Sequence, residues 1–424
     1  MTTSRRTIIK GMAAAPLAAI AGAAFAPAVA EAAALTPGQF TLAERTGNSH
    51  GTYADLAAGL ARVLPGVTVA DVLASANRDA QHLSGAPNGV GAFQDGFAWN
   101  PGDQGVAEWV PQGVTTSADA LGSGVWGGKR VVLVSWYFDT DPNGDGTPDF
   151  AINKGVRVSF VDHTDRLAPR YRHVLLVEPV KTSAGAYSYA PVQRHAGGIL
   201  WYGNLLYMVD TTKGLRVFDL DTLFEVATGK SDVCGLDADG RYYAHDYRYV
   251  LPQSAAYDNT GTLLRFSCLG LDRAGTPDSL TVGEYAADLA DPVVDYAGTG
   301  WNGNGTKIGT PKVVRWNLDH TDRRLGSTTA SEALTVKQGK IQGVVSQQSK
   351  HYLSTSNGSA NGSLRTVTSG SDTPSTVARL AVGSEDLSFH SAATTDWAYP
   401  ESVIWNLSEY AGARYVYAVR ADGS

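Results

Sequence analysis

The sequence predicts an all-β fold of radially repeated blades, a β-propeller led by a short helical segment, on three observations. From about residue 105, short runs rich in Val, Leu, Tyr and Trp alternate with clusters of Gly, Asp, Asn and Ser, the pattern of strands joined by turns. Five segments share a polar or small-residue shape: Pro111-Gln112-Gly113-Val114, Arg194-His195-Ala196-Gly197-Gly198-Ile199, Pro252-Gln253-Ser254-Ala255, Ile341-Gln342-Gly343-Val344 and Glu385-Asp386-Leu387-Ser388. Each is followed by a second strand (131–137, 205–210, 263–269, 351–356, 402–409) and then a third. The third strands carry the clearest echo, Lys154-Gly155-Val156-Arg157-Val158 against Lys213-Gly214-Leu215-Arg216-Val217. Radial repetition of such units describes a propeller with five visible blades. The uneven intervals leave room for a sixth or seventh, and a two-sheet sandwich is the rival fold.

The elements justify this in order. Ser4-Arg5-Arg6-Thr7-Ile8-Ile9-Lys10 precedes an alanine-rich apolar stretch, the layout of a twin-arginine export signal. Small-residue cleavage sites follow at Ala28-Val29-Ala30 and Ala32-Ala33-Ala34. Residues 1–34 are therefore expected to be an address, and the protein a secreted one. Residues 35–104 form an N-terminal segment with two helices. Thr52 stands as N-cap for 53–64, and Thr68 with Asp71 opens a second helix over 68–83. Residues 105–424 are the propeller domain.

Composition bounds the partners. Formal charge is -7, moving to about -9 once Arg5, Arg6, Lys10 and Glu31 are gone. An acidic chain lacks the Lys and Arg surplus that duplex binding needs, so nucleic acid is excluded as a partner. No later apolar run approaches a membrane span. Cys234 and Cys268 either form one disulfide or sit as two small buried hydrophobes. A soluble monomer acting on a polysaccharide or oligosaccharide is expected.

Propeller geometry then gathers distant residues. The lead-in segments converge on one central funnel, the usual place for ligands on repeat scaffolds. Gln112, Gln253, Gln342, Glu385, Asp386 and Arg194 are the expected substrate-binding residues, with inter-blade hydrogen bonding as the structural alternative. His195 breaks the glutamine pattern and can give or take a proton. Tyr247 and Arg248, beside His245, add a phenol and a carboxylate clamp. His195, Tyr247 and Arg248 are thus the expected catalytic residues.

The sharpest local motif runs from Asp139 to Asp149. Counted from Asp141 it supplies oxygen ligands at positions 1, 3, 5 and 9 of a calcium loop (Asp141, Asn143, Asp145, Asp149), with Gly146 at the turn. Ile152 stands where a full loop has Glu. A solvated acidic hairpin tip is the plain alternative, and Ca²⁺ is the expected cofactor.

The set Gln112-Gly113-Val114, 154–162, 194–198 and 214–219 resembles a group of exported actinobacterial propeller proteins. More loosely, the chain is similar to propeller polysaccharide lyases of the L-rhamnose-α-1,4-D-glucuronate lyase type. That resemblance implies β-elimination beside a uronic acid, with His195 and an arginine such as Arg194 or Arg248 in the funnel. Elimination needs the uronate carboxylate neutralised, a base for the C5 proton and an acid for the departing oxygen. The alternatives are a non-catalytic carbohydrate-binding propeller, or a glycoside hydrolase using Glu385 and Asp386.

Overall fold

In the computed structural model, residues 35–262, 264–287, 289, 310–393, 397 and 399–424 are described. The expected export signal, residues 1–34, lies outside them. Strand pairing resolves five antiparallel blades. Named from the innermost strand outward, the first is Trp109–Thr116, Val131–Phe138, Val156–Asp162 and Arg170–Lys181. The second is Ile199–Tyr202, Leu205–Asp210, Gly214–Asp219 and Tyr249–Asn259. The third is Cys268–Asp272, Ser279–Gly283, Lys312–Asn317 and Glu332–Thr335. The fourth is Ile341–Gln347, Lys350–Asn357, Ala360–Thr368 and Ser375–Val382.

The fifth blade closes the ring. Its inner three strands, Ser384–His390, Val403–Ser408 and Tyr415–Arg420, come from the end of the chain. Its fourth, Phe93–Ala98, comes from the N-terminal segment and pairs antiparallel with Tyr415–Arg420. The expected boundary at residue 105 therefore cuts through a blade. Asp95 on this strand reaches the next blade, accepting from His163 at 3.0 Å, and Tyr399 donates to it at 2.6 Å. The five inner strands touch one another in order around the axis. A two-sheet sandwich is excluded by that closed ring.

Four of the five lead-in segments sit where the echo places them, and one does not. Pro252-Gln253 belongs to the outermost strand of the second blade. The third blade begins instead at Ser267-Cys268-Leu269, and Asp278-Ser279-Leu280-Thr281-Val282 leads its second strand. An excursion through residues 220–248 delays the second blade's outer strand, so spacing alone misassigns it. The first helix forms over Tyr53–Leu60, with Thr52 Oγ1 accepting from the Asp55 N–H at 3.1 Å. The second stops at Ala74, because Arg78–Asp79 adds to the first blade's edge rather than continuing the turn. Cys234 and Cys268 are not joined in a disulfide.

The cores are sheet-on-sheet layers between blades, rich in Val, Leu and Trp. His390 is an exception, 1 % exposed and packed on Trp397 with ring centroids 4.6 Å apart. Neither of its ring nitrogens has a hydrogen-bond partner. Burial, and Arg130 nearby, push its pKa down to about 3. Between the unfolded value near 6.5 and about 3, the unfolded chain binds a proton that the folded chain refuses, so stability falls as pH falls through that window. His390→Phe should flatten the decline by up to about 1.4 kcal/mol per pH unit, read from urea melts at pH 7 and pH 5. An unchanged slope would place the proton uptake elsewhere.

Candidate active site

Two layers of equivalent positions encircle the axis. The upper holds Gln112, Gly197, Ser267, Gln342 and Glu385; the lower holds Gly113, Gly198, Cys268, Gly343 and Asp386. Small residues in the lower layer follow from crowding. A Cβ on Gly113 would stand 2.8 Å from the Ile199 nitrogen, and one on Gly343 would stand 2.7 Å from the Glu385 carbonyl oxygen. Asp386 takes the fifth place, and its carboxylate fills the axis. Its Oδ2 accepts from the N–H of Ile199 at 3.1 Å and of Val114 at 3.3 Å. Among the described residues its Oδ1 meets no hydrogen-bond partner, although the backbone N–H groups of Leu269 and Leu387 also favour the charged form. One side chain of the fifth blade thus holds backbone donors of the first and second blades. Burial pushes its pKa well above the usual carboxylate range, against the pull of those donors.

Above this knot lie two carboxylates from the fifth blade. Glu385 Oε1 accepts the amide of Gln342, from the fourth blade, at 2.7 Å. Glu409 Oε2 accepts the amide of Gln112, from the first blade, at 3.1 Å. Glu385 lies on the inner strand and Glu409 just past the end of the strand paired with it, and they reach to opposite neighbours, so they flank the axis. Both are buried. Arg414 clasps the Glu409 backbone, its Nε donating to the carbonyl at 2.8 Å. Burial and nearby Arg157 bring Arg414 down to about 10, still charged at neutral pH. Glu409 was not among the expected residues. It ends the predicted strand 402–409 and has no echo in other blades, so nothing in the repeat pattern singles it out.

His195 is partly exposed and lies against the ring of Tyr137, centroids 4.4 Å apart, where the first and second blades meet. Arg194 beside it is engaged by Asp210 at 2.6 Å, an acid that also holds Arg216 at 3.0 Å. The other expected residues disperse. Gln253 is buried off the funnel, accepting from Arg216 at 2.6 Å and donating to the Tyr53 hydroxyl at 2.9 Å. Tyr247 meets Arg157 at 3.2 Å, within a packed group where Arg157 lies 4.5 Å above the Trp109 ring and 2.8 Å from Asp103. Arg248 is exposed and paired with Glu225 at 2.7 Å, beside the second blade's outermost strand. The expected grouping of His195 with Tyr247 and Arg248 does not form, because the latter two precede an outer strand rather than an inner one.

The loop 139–149 joins the second and third strands of the first blade, on the funnel face. Its acids cap its own backbone. Asp141 accepts from the N–H groups of Gly144 at 3.0 Å and Gly146 at 2.9 Å, and Asp145 from Thr147 at 2.8 Å. Asn143 donates its amide to Asp149 at 3.0 Å. Among the described residues, no group of three or more His, Cys, Asp or Glu is arranged to hold a metal ion. As placed, the loop does not fit one. No helix among the described residues is long and apolar enough to cross a membrane.

No family model matches the chain, and no curated protein matches it. Among solved structures it is similar to the GH43_1 enzyme from Xanthomonas citri, at 10% identity over 87% of this chain and 95% of that one, TM-score 0.35. The same enzyme complexed with xylose gives 12% identity over 88% and 96%, TM-score 0.35. A GH43 β-xylosidase/α-arabinofuranosidase from a compost microbial metagenome, a calcium-free form with xylotriose, gives 10% over 80% and 97%, TM-score 0.34. Likeness at this level transfers neither residues nor activity, and the blade count rests on the strand pairing above.

Proposed function

We propose that this chain is an exported, monomeric glycoside hydrolase acting on a neutral glycan, with Glu385 and Glu409 as its pair of carboxylates. The observation that supports it is their placement: two acids from one blade, flanking the axis, each oriented by a glutamine amide from the adjoining blade. Hydrolysis of a glycosidic bond needs one carboxyl to protonate the leaving oxygen and a second to act as base or nucleophile. The glutamine amides fix one oxygen of each acid. Tyr137 and His195 offer flat faces at the rim for a sugar ring. Elimination is the weaker reading, since Arg248 and Arg194 are both matched to acids and Tyr247 is packed elsewhere.

The test is a product assay on a panel of neutral oligosaccharides and uronate polysaccharides. New reducing ends without the ultraviolet absorbance of a C4–C5 double bond are expected. That absorbance appearing on a uronate substrate would restore elimination, with His195 as proton-transfer residue. The burial of both glutamates favours one second reading, a binding propeller in which the Gln–Glu pairs only lock blades together; sugar binding with no product of either kind would support it.

Calcium belongs to this proposal through the spacing of Asp141, Asn143, Asp145 and Asp149 alone. A cation there would replace the Asn143–Asp149 bond and stiffen the rim. If so, melting in millimolar calcium should exceed melting in chelator by several degrees, because a ligand of the folded state stabilises it by mass action. Coincident melts would leave the loop closed on its own hydrogen bonds.

A further inference from the structure

The axis opens at its other end into a second polar cavity, of about 230 Å³, among the turns that leave the inner strands. It is separated from the glutamate pair by the Asp386 knot. Asp119 and Arg273 line it, with Gln347 and Ser391, against a wall that includes Leu271 and Phe389. Asp119 is 3 % exposed. Its hydrogen bonds all fall on Oδ2: the hydroxyls of Thr115 at 2.7 Å and Ser388 at 2.6 Å, and the Thr116 N–H at 3.2 Å. Oδ1 accepts none and is left to the cavity.

The lining is polar, and its one cation among the described residues is already matched. Arg273 is matched by Asp278 at 3.2 Å, stacks over Tyr202 and donates to the Asp119 carbonyl oxygen. Desolvation pushes the Asp119 carboxyl up, toward its neutral form. Gln347 gives one amide N–H to the Ser346 carbonyl at 2.7 Å, which orients its amide with a second N–H and the oxygen beside the cavity. Ser391 accepts from the Ala393 N–H at 3.2 Å, so its hydroxyl proton remains to donate. Donors and acceptors therefore stand around one apolar wall. The volume lies below the roughly 300–1,000 Å³ of sites for drug-sized ligands, enough for one ring and not a chain. A cyclic polyol with one apolar face meets these conditions; a carboxylate finds no unmatched cation.

We propose that this cavity binds a single neutral monosaccharide, held by Asp119, Gln347 and Ser391 against Leu271 and Phe389. The site is independent of the hydrolase reading, being on the opposite face.

Its test is titration of the full chain with D-galactose, D-glucose and D-xylose, followed by calorimetry and saturation-transfer NMR, with D-galacturonate and glycerol as comparators. One or more of the neutral sugars should bind with Kd on the order of 1 mM, more tightly than either comparator. Gly122→Trp is the decisive variant: Gly122 lines the cavity and a Cβ there meets nothing within 4 Å, so a bulky side chain starts from open space at the cavity wall. It should weaken binding at least about tenfold while the melt and any funnel turnover stay unchanged. Asp119→Asn, which keeps the Oδ2 acceptor, should weaken it too, and Glu385→Gln should leave it intact. Absence of binding, equal binding by Gly122→Trp, tighter binding of galacturonate, or loss of binding in Glu385→Gln would each overturn the proposal.

Discussion

Glutamine in place of either Glu385 or Glu409 is expected to lower turnover by a factor on the order of 100 to 10,000, the usual contribution of a positioned acid or base. The substitution is isosteric and keeps an oxygen to accept the amide of Gln342 or Gln112, so the two inter-blade bonds at 2.7 and 3.1 Å survive. Melting temperature should therefore move by no more than a few degrees, whereas Glu→Ala would also leave a buried amide without its acceptor. The alanine variants carry the more specific signature. With small anions such as azide or formate in the buffer, an alanine at the base or nucleophile position should regain part of its rate, and an alanine at the acid position should do so only on substrates with good leaving groups. Two glutamine variants that both retain full activity would remove the carboxylate pair from the chemistry and leave it a blade-to-blade lock.

The propeller was legible in the sequence because its repeat is physical. Each inner strand must pass close to its neighbours at the axis, which demands a small residue at one position, and that demand is visible as Gln112-Gly113-Val114, Gly197-Gly198-Ile199 and Gln342-Gly343-Val344. Where the demand is met by another small residue, the echo fails. Cys268 fits the same place as a glycine, but Ser267-Cys268-Leu269 looks nothing like the motif, whereas Pro252-Gln253 mimics it from an outer strand. The ring's closure was hidden for a different reason: Phe93–Ala98 pairs with residues more than three hundred positions away, and no local pattern reports that. In the candidate site, Gln112, Gln342, Glu385 and Asp386 were legible through the repeat, because symmetry-related positions converge. Glu409 and Tyr137 were not, since each contributes through a strand end that has no counterpart in the other blades. The axial cavity at the far face was equally silent; Asp119 and Arg273 read as ordinary turn residues until the ring brings them together.

Asp386→Ala is expected to be the most damaging single change in the fold. Glycine suffices at this level in other blades because a neighbouring backbone fills the space, but the axis itself is left with inward-facing N–H groups. Asp386 satisfies those of Val114 and Ile199 at 3.3 and 3.1 Å. Val114 is fully buried and Ile199 nearly so, which keeps water from replacing the lost acceptor. Each orphaned donor costs about 1–3 kcal/mol, so the loss totals several kcal/mol against a total stability of about 5–15. Asp386→Ala should melt several degrees lower, or fail to fold. Asp386→Asn preserves one oxygen for these donors and should come much closer to the parent. The pH dependence separates the carboxyl's charge from its acceptor role. Because burial raises the folded pKa above the unfolded value, the parent's stability from this group is fully present below the unfolded pKa and declines as pH rises through the folded one. The asparagine variant lacks that decline, so its disadvantage should shrink as pH rises. An alanine variant melting within about one degree of the parent would show that the blades hold their own axis without this side chain.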